Sequence, residues 1–494
     1  METNQIMLKT IRRVVAIICF IAISLLFLDF TATAINGWGW LAKWQFMPAL
    51  LAMNIPVLVV LLLLTLVLGR VYCSVLCPLG VLQDVISHVR GWLGKKHRRR
   101  FGYRRPLVVV RILFLATFAL LVMLGFARFA AFIEPYSEYG RIMSSLVKPL
   151  YVDINNVLAS SQGDDAYTFY AVDYFVTPVA VIVAAVTLIV VGCFAWIDGR
   201  LYCNTICPVG TILGYLSRYS WLKPVIDHSK CVKCGLCAKE CKASCIDSKS
   251  GTIDYTRCVT CMDCIGSCHA GAIKYTSRQA AKNVDDGGRR KFLTVGALLA
   301  GSAVARAQEK TVDGGLAVII DKKKPERRTM ITPPGSRSHN NFTSHCTACQ
   351  LCISNCPENV LRPSAEMKTF MQPEVSYERG YCRPECTACS DVCPAGAILP
   401  IDKAEKSSTQ IGHAVWVRKN CLPASEGVSC GNCARHCPVG AITMIPSVAG
   451  DSESPLVPSV NTERCIGCGA CENLCPVRPF SAIYVEGHEI HRTV

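Results

Sequence analysis

Histidine is missing where it would matter most. Ten histidines occur (His88, His97, His228, His269, His339, His345, His413, His436, His488 and His491), and none lies inside an apolar run. A bis-histidine haem within a bilayer is therefore not available from this chain. The sequence C-x2-C-H is also absent, which excludes covalently attached haem. Acidic residues are few, 36 against 52 Lys and Arg, for a formal net charge of +16. The excess forms no basic stripe interleaved with aromatics, and no nucleic-acid motif accompanies it, so nucleic acid is not an expected partner. Part of it falls at Lys95, Lys96, Arg98, Arg99, Arg100, Arg104 and Arg105, between two apolar runs. Cytoplasmic loops of membrane proteins collect charge in this way.

Cysteine, by contrast, is abundant, and 24 of the 31 fall into six quartets. Five follow C-x2-C-x2-C-x3-C or a close variant: Cys231/Cys234/Cys237/Cys241, Cys258/Cys261/Cys264/Cys268, Cys346/Cys349/Cys352/Cys356, Cys382/Cys386/Cys389/Cys393 and Cys465/Cys468/Cys471/Cys475. The sixth, Cys421/Cys430/Cys433/Cys437, has an insertion after its first cysteine. Three thiolates in one tight turn can grip three irons of a cubane, while the fourth, often followed by proline, reaches the neighbouring cluster. Disulfide frameworks rarely repeat so regularly, and structural zinc usually takes two separated C-x2-C knuckles. Six 4Fe-4S clusters are expected, and with them one-electron transfer.

At 494 residues the chain exceeds one ordinary core. Apolar runs near 14–30, 47–68, 107–126 and 177–196 could each cross a hydrocarbon layer of about 30 Å as a tilted helix. Arg12 and Arg13 precede the first run. Between the third and fourth stand Glu134, Glu138, Asp153, Asp164, Asp165 and Asp173 against Arg141 and Lys148. The positive-inside bias places the N-terminus and residues 198–290 in the cytoplasm of a bacterial inner membrane, and an export signal at Arg289-Arg290 places residues 308–494 in the periplasm. Gly-Arg-Val-Tyr-Cys73-Ser-Val-Leu-Cys77-Pro-Leu-Gly recurs as Gly-Arg-Leu-Tyr-Cys203-Asn-Thr-Ile-Cys207-Pro-Val-Gly. The expected fold is thus four transmembrane helices as two parallel hairpin repeats, followed by α+β ferredoxin-like domains.

The domains divide as follows. Residues 1–222 form the membrane domain and 223–283 a two-cluster ferredoxin. Residues 284–307 carry Arg289-Arg290, a weakly apolar stretch and Ala305-Arg306-Ala307. They read as an internal signal for the twin-arginine export machinery, the alternative being a fifth membrane segment. Cleavage after Ala307 is left open. Residues 308–341, with Lys322, Lys323, Lys324, Pro325, Pro333 and Pro334, read as a disordered linker. Residues 342–494 hold four clusters and little independent core.

In two-cluster ferredoxins the fourth cysteine crosses over. Cys268 should therefore join Cys231, Cys234 and Cys237, and Cys241 should join Cys258, Cys261 and Cys264. In the last domain a nested exchange is expected, first quartet with last and second with third. Cys73, Cys77, Cys203 and Cys207 are either structural thiols beside Cys-Pro turns or, by repeat symmetry, a seventh cluster or metal site. Cys19 and Cys193 read as buried small hydrophobes, and Cys245, aligned with Ala272, as filler. With clusters on both sides of a membrane and no haem ligand between them, a lipid-soluble quinol is the natural carrier. Glu134, Tyr136 and Glu138 are its candidate contacts, unless that segment is an interfacial anchor with aromatic-belt residues.

Residues 1–283 resemble the membrane subunit of the quinol-dehydrogenase module that accompanies periplasmic nitrate reductase (NapH type). The resemblance rests on the four runs, the paired Gly-Arg-x-Tyr-Cys-x3-Cys-Pro motifs and the two-cluster ferredoxin behind them. Residues 284–494 resemble its exported partner (NapG type, also related to an iron–sulfur protein of methylamine utilisation), with Arg289-Arg290-Lys-Phe-Leu and four quartets. The resemblance implies a quinol dehydrogenase in the membrane, drawing on the quinol pool. Its electrons would pass to a periplasmic c-type cytochrome or a molybdenum or copper reductase. The halves are fused here, and related polyferredoxins with C-x3-C-P serve nitrous oxide reduction, copper handling and organohalide respiration, so the acceptor stays open. Two alternatives remain: a transmembrane conduit from a cytoplasmic donor, and a maturation factor that reduces a partner metalloenzyme.

Overall fold

All four apolar runs form helices, but of unequal length. The computed structural model describes residues 2–92, 101–161, 170–277, 321–451 and 453–493. The twin-arginine segment, Lys95, Lys96, Arg98, Arg99, Arg100, Asp164 and Asp165 lie outside them. Met7–Leu28 and Pro178–Asp198 are long and apolar enough to cross a membrane, whereas Ile55–Leu68 and Val108–Met123 are shorter. The expectation of four full spans is corrected to two long helices and two of 14 and 16 residues. The 47–68 run breaks where Met53 takes φ 52° and Asn54 caps a new helix, accepting from Val57 N. The third run stops at Gly125, whose φ of 75° suits a helix end.

The two cysteine-rich regions sit at opposite ends of these helices. Lys9 and Arg13, early in the Glu2–Leu28 helix, pair with Asp263, while Leu26 O near its other end accepts from Asn355. Pro178–Asp198 repeats the arrangement: Ala180 packs with Ala348 and Met371, and Asp198 accepts from Ser244. Its 21 residues span about 30 Å. At the foot of Ile55–Leu68, Leu66 O and Leu68 O accept from Trp221 and Tyr275, and before its head Ala52 touches Gly396.

Both copies of the repeat turn back into the bundle. After Gly69 (φ 73°) comes the short helix Val71–Val75, then Cys77 and the helix Pro78–Trp92; after Gly199 (φ 57°) come Leu201–Thr205, Cys207 and Pro208–Ser217. Proline after each second cysteine opens the returning helix, where no N–H is needed. Tyr72, Cys73, Cys77, Tyr202 and Cys207 thereby join one core with Leu61, Val191 and Tyr139. The copies interlock: Arg200 donates to Cys73 O at 2.6 Å and Arg70 to Cys203 O at 3.5 Å. From the other end a third re-entrant piece, the helix Pro135–Ile142, packs against Pro78–Trp92 and Pro178–Asp198.

The cysteine-rich regions are short antiparallel pairs with single helical turns between them. Leu222–Ile226 pairs with Ile273–Ser277, and Thr409–Trp416 with Ile483–Thr493. Residues 321–341 are not the loose linker expected. Ile331, Thr332 and Ser336 are buried, Lys322 Nζ donates to the carbonyls of Glu472, Asn473 and Cys475, and Arg327 pairs with Glu472 at 2.5 Å. Of the lysines that suggested a solvated segment, Lys322 is satisfied by carbonyls and Lys324 by the Glu374 carboxylate, while Lys323 is exposed.

Candidate iron–sulfur centres

The 24 quartet cysteines gather into six groups, each of the first three cysteines of one quartet and the fourth of another. Cys231, Cys234, Cys237 and Cys268 line one hollow; Cys258, Cys261, Cys264 and Cys241 line a second, as the crossover rule requires. In the last domain the nested exchange is overturned. Cys346, Cys349 and Cys352 share a hollow with Cys393, and Cys421, Cys430 and Cys433 share one with Cys475. Correspondingly Cys389 faces Cys382, Cys386 and Cys356, and Cys468 faces Cys465 and Cys437. The hairpin 361–363/373–375 lies within the first pair of quartets and 442–446/456–460 within the second. Adjacent quartets therefore fold as two local units.

Backbone amides aim at the fourth sulfurs. Ala272 N, Ile398 N, Ala441 N and Ala482 N donate to Cys268, Cys393, Cys437 and Cys475 Sγ at 3.2–3.4 Å. This accounts for the recurring Gly-Ala-Ile tails, since such bonds stabilise thiolate charge. Sulfurs around one zinc ion lie within about 4 Å of each other, given a Zn–S bond of about 2.3 Å. Among the described residues no three His, Cys, Asp or Glu side chains converge tightly enough for a single metal ion. Hollows rimmed by four spaced sulfurs suit a cubane better. Burial pushes the Cys349 and Cys468 thiols up to about 12 and Cys433 to about 11. Iron loading must displace these protons, so occupancy should fall as pH falls.

The four repeat cysteines, ambiguous in sequence, converge. Cys73, Cys77, Cys203 and Cys207 are all buried, and Cys77 and Cys207 lie within electrostatic reach of the other pair. Arg70 Nη2 approaches Cys73 Sγ at 3.8 Å and Gln83 Nε2 lies 3.2 Å from Cys203 Sγ. Arg70 and Arg200 are both fully buried. Asp84 pairs with Arg200, but among the described residues no carboxylate pairs with Arg70. A buried, carboxylate-free guanidinium beside four thiols fits an anionic thiolate-held group.

These centres form a file. Lys242, next to ligand Cys241, accepts at its carbonyl from Arg200 N at 2.8 Å, and Arg200 reaches Cys73 O. On the other side Tyr202, next to Cys203, donates to Glu138 Oε1 at 2.5 Å. Tyr136, two residues before Glu138, faces Cys349 and Cys393, and Gly140 lies so close to Cys349 O that a Cβ would stand 2.3 Å from it. Cys382 N donates to Cys468 O at 2.9 Å, joining the two local units of the last domain.

Glu134, Tyr136 and Glu138 do come together, yet inside the molecule. Glu134 caps the Pro135–Ile142 helix through Tyr136 N and Ser137 N. Their exposures are 2, 0 and 3%, so the reading as an interfacial anchor fails. Cys193 is exposed, whereas Cys19 is half-buried and packs against Ala16, Val75 and Val81. Cys245 is buried as the filler reading expects, and its sulfur also lies 3.4 Å from Cys241 Sγ and lines the same hollow. The fifth cysteine four places after Cys241 was the signal for it. The arginines stand in the repeat motif itself, but only the fold shows them crossing between copies.

Comparison with known proteins agrees with the cysteine chemistry. A family model described as a 4Fe-4S binding domain matches residues 51–100 and 177–226, the two repeat copies, and one described as a 4Fe-4S dicluster domain matches 428–478. Ferredoxin-type protein NapF of Escherichia coli K12 is 33% identical over 159 residues, 32% of this chain and 87% of its own length. Methylamine utilization ferredoxin-type protein MauM of Paracoccus denitrificans is 31% identical over 203 residues, 38% of this chain and 85% of its own. Ferredoxin-type protein NapG of Escherichia coli K12 is 30% identical over 207 residues, 38% and 81% respectively. No solved structure matches.

Proposed function

Since the chain belongs to the family of ferredoxin-type iron–sulfur proteins that includes NapF, we propose that it is a membrane-bound electron conduit. Six 4Fe-4S centres and a seventh at the repeat cysteines would carry electrons between the two ends of the helical bundle. The observation behind this is the convergence of Cys73, Cys77, Cys203 and Cys207 beside Arg70 and Arg200, between the two cysteine-rich regions. A diffusing carrier was needed only while the interior lacked a redox group. In this reading a NapH-type half is fused to a NapG-type half, the latter exported folded by the twin-arginine machinery. The two-cluster region takes electrons from a cytoplasmic donor. The last domain delivers them in the periplasm to a c-type cytochrome or a molybdenum or copper reductase. Outward apolar side chains such as Ile17, Ile21, Leu63, Ile112, Ile182 and Ile189 supply the lipid-facing band.

The test uses the whole chain in sealed, quinone-free vesicles, with dithionite outside and cytochrome c trapped inside. Reduction of the trapped cytochrome is expected, and its loss in Cys73→Ala/Cys203→Ala with the other cluster signals retained. A variant that conducts like the wild type removes the proposal.

A second reading keeps quinol as the donor. Tyr136 Oη, Ser137 Oγ, Glu138 Oε2 and Arg141 Nε are buried without partners, a polar set that a quinol headgroup would satisfy if the bundle opened. Trapped-acceptor reduction that starts only when quinol is added supports this reading over the conduit.

A further inference from the structure

Tails after the fourth cysteine repeat along the chain, and in four of the six the residue four places on is Ala272, Ala397, Ala441 or Val360, each 1–2% exposed, while after Cys475 it is the part-exposed Pro479. At the same place after Cys241 stands Cys245, also 1% exposed. The position is thus built to pack a small apolar side chain beneath a cluster hollow. In one copy it carries a thiol. That thiol lies 3.4 Å from Cys241 Sγ, on the wall that Cys241 shares with Cys258, Cys261 and Cys264. This hollow is the one whose tail carbonyls meet the repeat: Lys242 O accepts from Arg200 and Ala243 O from Asn204.

We infer that Cys245 is a positioning residue for the inner of the two 223–277 centres, its S–H donating to the Cys241 sulfur and raising that centre's reduction potential above its sister's. The inference rests on reading the hollow as a cluster site. The physical cause is general: a donor on a ligand sulfur stabilises the added negative charge of the reduced cluster. No bond is made or broken, and the thiol keeps its proton while one electron enters. An electron arriving at the outer centre, where the Ala272 side chain offers no donor and only its backbone N–H reaches Cys268 Sγ, would then rest at the inner centre, beside the repeat. Cys241 remains the ligand because its chain position matches Cys268, the fourth cysteine of the sister quartet.

The test is Cys245→Ala in the whole chain, purified without air and titrated by electron paramagnetic resonance. At fixed ambient potential the reduced-to-oxidised ratio of one centre should fall about tenfold, which is about 59 mV for a one-electron couple. Iron content should stay at the wild-type value, and Cys245→Ser should recover part of the shift. The mirror variant Ala272→Cys should raise the sister centre instead. An unchanged midpoint in Cys245→Ala, with iron retained, means the thiol only packs, and the inference falls. Loss of about four irons per chain in Cys245→Ala makes Cys245 a ligand and also overturns it. Iron absent from the wild type itself refutes the cluster reading separately.

Discussion

In one copy of the repeat Arg200 reaches across to Cys73 O while both carboxylate oxygens of Asp84 hold it, at 2.7 and 2.8 Å. In the other, Arg70 makes the reciprocal reach to Cys203 O with Asn204, the Thr256 carbonyl and the Cys73 sulfur around it and a second buried guanidinium, Arg111, on the same Thr256 carbonyl. The two copies share their order of elements; the charge arrangement differs. Asp84 also takes Lys242 at 2.7 Å, so the Arg200 copy ties the repeat to the two-cluster region. The Arg70 copy leaves one buried positive charge directed at the thiols. Duplication supplied a symmetric cage, and a single carboxylate made one half structural and left the other half for an anionic occupant.

Substituting the two arginines should separate these roles. Arg200→Leu leaves the partly buried Asp84 with Lys242 alone, and losing charge-assisted hydrogen bonds of this kind costs about 2–3 kcal/mol. Denaturation in detergent should show that loss, and Arg200→Leu/Asp84→Leu should recover most of it. Arg70→Leu strands no carboxylate and should unfold near the wild type, while the signal of the repeat-cysteine centre weakens or moves to lower potential. Equal unfolding losses in the two single variants would break the comparison. The glycines come next. A Cβ on Gly80 would stand 2.4 Å from Cys73 O, and one on Gly210 would stand 2.2 Å from Cys203 O. Gly80→Ala and Gly210→Ala must therefore push backbone apart in both copies, with similar losses of about 1–3 kcal/mol. A loss confined to one variant would mean that the cage is less symmetric than its interlock suggests.

The quartets were fully legible in sequence, because their ligands come from consecutive turns and need no knowledge of tertiary contacts. Crossover in the 223–277 region followed from the same local rule. Pairing in the last domain did not, since with four quartets the choice depends on which hairpins close, and spacing carries no trace of that. The interior of the bundle was half legible. The repeat showed that Cys73 and Cys203 were equivalent, but only the re-entrant turns at Gly69 and Gly199 bring them together and place Tyr202 against Glu138. The 321–341 segment misled because Lys322, Lys323 and Lys324 look solvated until the carbonyls at 472–475 are seen around one of them. Span lengths were overestimated where hydropathy ran on through Met53, although Asn54-Ile55-Pro56 is itself a helix-start signal.

The smallest expected effect lies in the tyrosines before the first cysteine of each copy. Tyr72 Oη donates to Gln45 Oε1 at 3.0 Å and accepts from Phe46 N at 3.1 Å, which ties it to the helical turns around residue 46. Tyr202 Oη instead donates to Glu138, on the helix that enters from the opposite end of the bundle. Phenylalanine at either place removes one hydroxyl from a buried site and should cost about 1–2 kcal/mol. The difference should appear in coupling. A cycle of Tyr202→Phe with Glu138→Gln should give an interaction of about 1 kcal/mol, since the two touch, whereas Tyr72→Phe with Glu138→Gln should be additive within about 0.5 kcal/mol. Coupling of the same size in both cycles would mean that the two re-entrant systems respond as one body, and that the asymmetry of the copies ends at their arginines.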